Sequence, residues 1–331
     1  MRNNVKYILL ALLVGLFSSC IDDKAKHCNL TLKYRYLNGD ITDNIFDMDV
    51  DRVSTYIFNK EGLLLDHITD FPELSLAKYS KLLEDFNYGE YQFVGVAEDT
   101  FEGAKNGFEI SRMKVGSSTI DDLYIKLNTL NDVSKNRLQN MLVGHTTLIV
   151  DDLPGEIVIP VRNIMNNVRV LLVDEHHPEN IDVDDYDISI VDEEGNVVVN
   201  YDYTVQEDGP ITYLPYETQN ITSSLPDDDQ DYQKVACAQF SLSRLVDGHD
   251  IRLIVKPKGV NYQLINVSLL KMIDYAKQKE TSDKMSFQDY LDFRDNFVIT
   301  LFLKGNSWVR TKIRVNEWIF EAQELNLGSI N

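Results

Sequence analysis

Positive charge is scarce in this chain. Its 331 residues hold 32 Lys and Arg against 53 Asp and Glu, a formal net charge of −21. That surplus repels phosphate backbones and anionic headgroups, which excludes nucleic acid as a partner and a basic grip on lipid. Cysteine is scarcer still, with three residues. Three do not make the dense disulfide framework that replaces a core in small secreted domains. A Cys28–Cys237 bridge stays open, beside the alternative that Cys237, inside Val235-Ala236-Cys237-Ala238, is an apolar filler. No GxxxxGK[ST] or GxGxxG run offers a phosphate cradle, and no GxSxG elbow presents a nucleophile. The six histidines are scattered. His176 and His177 are adjacent, so on a strand they would face opposite ways. His27 touches Cys28 without ligand spacing, and His67, His145 and His249 have no Cys or His at ligand spacing. No carboxylate pair is singled out by an apolar surround. The expectation is therefore no metal, no cofactor and no enzyme.

Long apolar runs are also missing. Spanning a membrane as a helix takes roughly 20 apolar residues, and the longest run, Tyr7 to Phe17, falls short. What it does have is the layout of an export signal. Arg2 and Lys6 supply the positive start, Tyr7 to Phe17 the apolar stretch, and Ser18-Ser19 the small residues before Cys20. A thiol at that point can take a diacylglycerol thioether, so Cys20 is the predicted lipidation site and residues 1–19 the predicted removed signal. Two or more acyl chains hold a protein stably, at about 0.8 kcal/mol per buried methylene. Residues 20–28 read as the lipidated tether. Its Ile21-Asp22-Asp23-Lys24 is either an acidic export tag or a solvated spacer.

Apolar content of 44% and aromatic content of 10% are enough for real cores. The pattern after the tether is mostly of period two. Leu30, Leu32, Tyr34 and Tyr36 share one face of a strand. Val53 to Phe58 is a second strand, Asn59-Lys60-Glu61-Gly62 a turn, and Leu63-Leu64-Leu65 the returning strand. Asp47-Met48-Asp49-Val50-Asp51 starts like a calcium loop. Arg52 and Phe58 stand where such a loop needs Gly and Glu, so it reads as a solvated loop. Leu74 to Phe86 reads as a helical or irregular crossing, Tyr91 to Ala97 as a strand, and Thr100 to Ser118 as a long connection. Asp121 to Leu127 is ambiguous, and Ser134 to Leu142 reads as a short helix capped by Ser134. Thr146 to Val150, Glu156 to Val161 and Val168 to Val173 are strands.

Further on, Tyr186 to Val191, the turn Asp192-Glu193-Glu194-Gly195-Asn196 and Val197 to Val199 read as a second hairpin. The acidic Asp227-Asp228-Asp229 reads as an exposed loop. Val235 to Leu242 and Ile251 to Val255 are strands. Leu269, Met272, Ile273 and Ala276 are spaced for a helix over 269–277. Phe297 to Leu303, Ser307 to Val315 and Glu317 to Phe320 close the chain as strands. Many short strands with few helical patterns predict an all-β protein of two β-sandwiches in series, 29–160 and 161–331. Seventeen tyrosines leave two uses open. Tyr201-Asp202-Tyr203 and Tyr213-Leu214-Pro215-Tyr216 either stack on sugars or fill half-buried strand positions.

Several segments in this order resemble the fimbrial anchor and minor-subunit lipoproteins of Bacteroidetes, relatives of the fimbrillins that build type V pili. They are the run ending at Cys20, Val53 to Leu63, Gly89 to Val94, Ile157 to Ile164, Tyr290 to Asp295 and Ile313 to Trp318. The resemblance implies two transthyretin-like β-sandwich domains and a place at the pilus base on the outer membrane. It implies pilus subunits as partners, bound through open sheet edges that accept or give a strand. Polymerising relatives lose an N-terminal strand to a protease; an anchor that keeps Cys20 keeps Leu30 to Tyr36. The tail after Trp318 is then a candidate subunit contact. A surface glycan-binding lipoprotein is the alternative.

Overall fold

Period two governs most of the described chain, and strands follow from it. The computed structural model describes residues 27–37, 50–72, 75–99, 107–151, 155–174, 176–177, 179–224, 231–280, 285–303, 312–315 and 318–321. Cys20, the signal, residues 47–49 and the acidic 227–229 lie outside them. The first half supplies β1 (His27–Tyr36), β2 (Arg52–Asn59), β3 (Leu64–Asp70), β4 (Ser80–Asn87), β5 (Gly89–Asp99), β6 (Phe108–Ile110), β7 (Tyr124–Leu127), β8 (Val133–Ser134), β9 (Asn140–Val150) and β10 (Gly155–Asn163). The second supplies β11 (Met165–Asp174), β12 (Tyr186–Asp192), β13 (Val198–Asn200), β14 (Val205–Gln206), β15 (Ile211–Tyr213), β16 (Glu217–Ser224), β17 (Asp231–Ser243), β18 (Ile251–Pro257) and β19 (Ile265–Ser268). Two helices follow, α1 (Leu269–Glu280) and α2 (Phe287–Phe293), then β20 (Asn296–Leu303), β21 (Lys312–Val315) and β22 (Trp318–Glu321). The fold is all-β, as the sequence predicts.

The larger sheet of the first half runs β3-β2-β5-β9-β10-β1-β4 and folds over on itself. β9 and β10 pair only at Arg162–Val143 and Asn163–Leu142, which makes the corner. Cys28, Leu30, Leu32, Tyr34 and Tyr36 of β1 then face Val53, Ile57, Phe93 and Ala97 across one core. Two glycines permit the closure. Gly95 and Gly144 lie opposite each other on β5 and β9. A Cβ on Gly95 would sit 2.3 Å from the Tyr34 ring, and one on Gly144 only 1.8 Å from the Pro160 carbonyl oxygen.

β2 is buried on both faces. Its second face, with Tyr56 and Phe58, joins Val94, Val96, Met141 and Val143 in a core that continues through the second half. There the main sheets run β16-β17-β11-β20-β21-β22 and β19-β18-β12-β15-β8. The halves also exchange strands: β7 pairs β13 in the small sheet β14-β13-β7-β6, and β8 pairs β15.

Local chemistry explains the agreements. Gly62 takes φ +81 in the turn before β3, and the Asn59 side chain accepts from Leu63 N at 2.8 Å. α1 buries Leu269, Met272, Ile273 and Ala276 and runs three residues past the predicted end. β1 takes in His27 and Cys28, which the sequence reading leaves in the tether. Other segments differ. Leu76–Lys78 forms a single 3-10 turn, and β4 follows it. The connection from Thr100 contains β6. Asp121 to Leu127 resolves into a 3-10 turn and β7. Ser134 to Leu142 is no helix but the end of β8 and the start of β9. Met141, Leu142 and Val143 are all buried, and a strand covered on both faces shows no alternation to distinguish it from a helix. The second predicted hairpin also fails. β12 pairs β15 and β18, whereas β13 pairs β7 and β14. The Asp192 carboxylate accepts from Glu194 N and Gly195 N and turns the chain out of its sheet. Tyr290 to Asp295 holds most of α2, capped by Ser286, whose Oγ accepts from Asp289 N at 3.0 Å.

Candidate tether and subunit-contact sites

β1 is the described strand nearest to Cys20 in sequence, and it is an interior strand. It pairs in parallel with β10 from Leu30–Gly155 to Tyr36–Val161. On its other side it pairs antiparallel with β4 from His27–Asn87 to Lys33–Ser80. Pulling β1 out along its length would break both ladders together. Its side chains add cross-links. Tyr34 Oη lies 2.6 Å from Thr55 Oγ1, and Tyr36 Oη donates to Asp295 Oδ2 at 2.8 Å. Cys28 and Cys237 are buried free thiols in separate core clusters, so they form no disulfide. Burial pushes the Cys28 thiol up, helped by Asp151, which leaves it unreactive.

The Tyr36–Asp295 bond belongs to a polar junction between the halves, where Ile157 to Ile164 meets Tyr290 to Asp295. Asp292 is buried there and receives Arg244 in a two-point grip, Nε to Oδ1 at 2.8 Å and Nη2 to Oδ2 at 2.7 Å. Arg162 of β10 reaches the same Oδ2 at 3.4 Å, and Gln288 Nε2 donates to Oδ1 at 3.0 Å. Tyr203 sits within reach of both cations, with guanidinium carbons 5.7 and 6.0 Å from its ring centroid. Its hydroxyl donates to the Val143 carbonyl at 2.9 Å. Burial pushes that hydroxyl up to about 12. Burial also raises Asp295, and hydrogen bonds from Tyr36 and Asn163 offset this only in part. The arrangement welds the two halves together: Asp292 and Asp295 each face fixed donors from elsewhere in the chain.

Strands that end their sheets among the described residues are the other feature able to meet a partner. β22 ends one side of the six-stranded sheet and β16 the other. β3 and β4 end the folded sheet of the first half, and their ends are clipped together. Asp70 accepts from Lys81 Nζ at 2.7 Å and from Tyr79 Oη at 2.5 Å. Burial alone would raise Asp70, but those two donors outweigh it and hold its carboxyl below the usual range. The β22 edge falls inside the tail that the sequence reading marks for subunit contact.

The tyrosine clusters are mainly structural. Tyr213 is fully buried, bonded to Asn196, and Tyr203 belongs to the weld. Tyr216 lies beneath Arg137, and Tyr201 meets His145 edge-on. Among the described residues, Phe71 and Tyr262 are the aromatic members of the exposed large apolar side chains. No helix among the described residues is long and apolar enough to cross a membrane. Sequence reasoning did not bring together the groups of the polar junction, nor His249 and Asp192, which lie against each other 57 residues apart.

The family model of fimbrillin-A associated anchor proteins Mfa1 and Mfa2 matches residues 21–324. The chain belongs to this family. Solved structures agree on the fold. A candidate adhesin of Bacteroides thetaiotaomicron is 24% identical with a TM-score of 0.76, covering 92% of this chain and 100% of its own. A candidate polysaccharide-binding protein of the same organism is 23% identical with a TM-score of 0.75, covering 90% and 99%. The fimbrial anchor protein Mfa2 from Porphyromonas gingivalis is 16% identical with a TM-score of 0.64, covering 88% and 98%. At such identities these likenesses carry the fold alone. No curated protein matches the chain. Family membership makes this a fimbrial accessory protein of the cell surface.

Proposed function

We propose that this family member anchors a fimbria to the outer membrane, held by lipid on Cys20 and bound to fimbrillin through its sheet edges. Residues 1–19 are removed, 20–28 form the tether, and 29–160 and 161–331 form the two sandwich domains. The protein is a structural part, with no catalysis assigned to it. The observation that carries this reading is the place of β1. A load applied at Cys20 enters the fold through an interior strand flanked by β10 and β4. It then crosses to the second half through Tyr36–Asp295 and Arg162–Asp292. β22, at the far end of the six-stranded sheet, has no second neighbour among the described residues, and that edge is where a neighbouring subunit would add a strand.

Replacing Cys20→Ala tests this. The expected outcome is loss of the protein from the outer-membrane fraction and release of fibres into the medium, both read by immunoblot. Fibres that stay cell-bound while the variant protein is released would contradict anchoring.

A further inference from the structure

Asp192 closes β12, Glu194 lies two residues on in the turn, and His249 comes from the connection between β17 and β18. One ligand atom from each lies within 4.8 Å of the others. His249 Nδ1 is 3.1 Å from both carboxylate oxygens of Asp192. Two ligand atoms on one four-coordinate ion, each at about 2.0–2.2 Å, are themselves about 3.3–3.6 Å apart. The imidazole and the Asp192 carboxylate, at 3.1 Å, need to part by only a few tenths of an ångström to reach that spacing.

Two further features point to a cation. Asp192 is completely buried and the His249 side chain is 7% exposed, yet among the described residues no Lys or Arg is bonded to Asp192, Glu194 or His249. Asp192 holds its charge out of water with an imidazole rather than a Lys or Arg against it, and half-buried Glu194 adds a second carboxylate beside it, an arrangement that a cation would stabilise. The carboxylates are also held from behind. Glu194 N and Gly195 N donate to Asp192 Oδ1 at 3.2 and 3.1 Å, and Asp250 N donates to Glu194 Oε2 at 2.8 Å. Backbone donors of this kind orient ligating carboxylates in metal sites.

We propose that Asp192, Glu194 and His249 form a Zn²⁺ site that staples the turn after β12 to the loop before β18. The ligand set argues for the metal. One nitrogen and two carboxylates suit Zn²⁺, with solvent completing four-fold coordination. Ca²⁺ takes six to eight oxygens, more than this group provides.

The test titrates ZnCl₂ and CaCl₂ into the metal-stripped full-length protein in detergent, by calorimetry and by thermal unfolding. The expected result is one Zn²⁺ per chain with a dissociation constant on the order of micromolar, a rise in melting temperature and weaker Ca²⁺ binding. His249→Ala and Glu194→Gln should each weaken Zn²⁺ binding by at least about tenfold. Glu194→Gln keeps an acceptor for Asp250 N, so this variant should fold as the wild type does. A double His176→Ala, His177→Ala variant removes two exposed imidazoles and should bind as the wild type does. Three results would overturn the site: no Zn²⁺ binding tighter than about millimolar, binding that survives both His249→Ala and Glu194→Gln, or Ca²⁺ bound more tightly than Zn²⁺.

Discussion

Asp292 shows what one residue does for this fold. Its carboxylate is 6% exposed, and three side chains satisfy it. Arg244→Ala would leave that charge buried without its two-point partner, a loss of about 3–5 kcal/mol for such pairs. Arg244 also donates to the Tyr203 carbonyl at 2.6 Å, where Tyr203 holds a positive φ of 70°. The expected outcome is a large fall in the urea midpoint with an unchanged slope; a midpoint shift worth under about 1 kcal/mol would show the weld to be incidental. The importance of Tyr290 to Asp295 was legible in the sequence as part of a family pattern, but its partners were not. Arg162, Arg244 and Tyr36 lie 130, 48 and 259 residues from their carboxylates, and no local spacing marks such pairings. The same distance problem hid His249 and Asp192.

Elements were most plainly legible where one face is wet, although β-rich composition alone also marked the doubly covered Val53 to Phe58. Leu30 to Tyr36, Tyr186 to Val191 and the helix at Leu269 each announce a buried side by periodicity, and each forms as predicted. The misses come where that signal disappears. β9 is covered on both faces at Met141 to Val143, so apolar residues run on without alternation. β13 leaves its neighbour because the Asp192 side chain reshapes the turn, and this is side-chain chemistry beneath the resolution of a hydropathy pattern. The corner between β9 and β10 depends on Gly144, whose missing Cβ admits the Pro160 carbonyl. Gly144→Ala should therefore cost about 3 kcal/mol, since backbone rather than a flexible side-chain tip must move. Thermal unfolding measures it, and an unchanged midpoint would mean that the corner relaxes freely.

At the scale of the whole molecule, the class and the family were readable before any coordinates, because composition, short strands and ordered motifs all agree. The interleaving was not. β7 and β8 come from the first half yet complete sheets of the second, so one buried cluster runs through both. That union suits the role we propose, carrying load from a lipid at one end to a fibre at the other. The central claim concerns that lipid. Mass spectrometry of the N-terminus of protein recovered from outer membranes tests it directly. The account predicts a chain that begins at a diacylglycerol-modified Cys20 and retains His27 to Tyr36. A mature chain that begins after β1, or an unmodified Cys20, would contradict it.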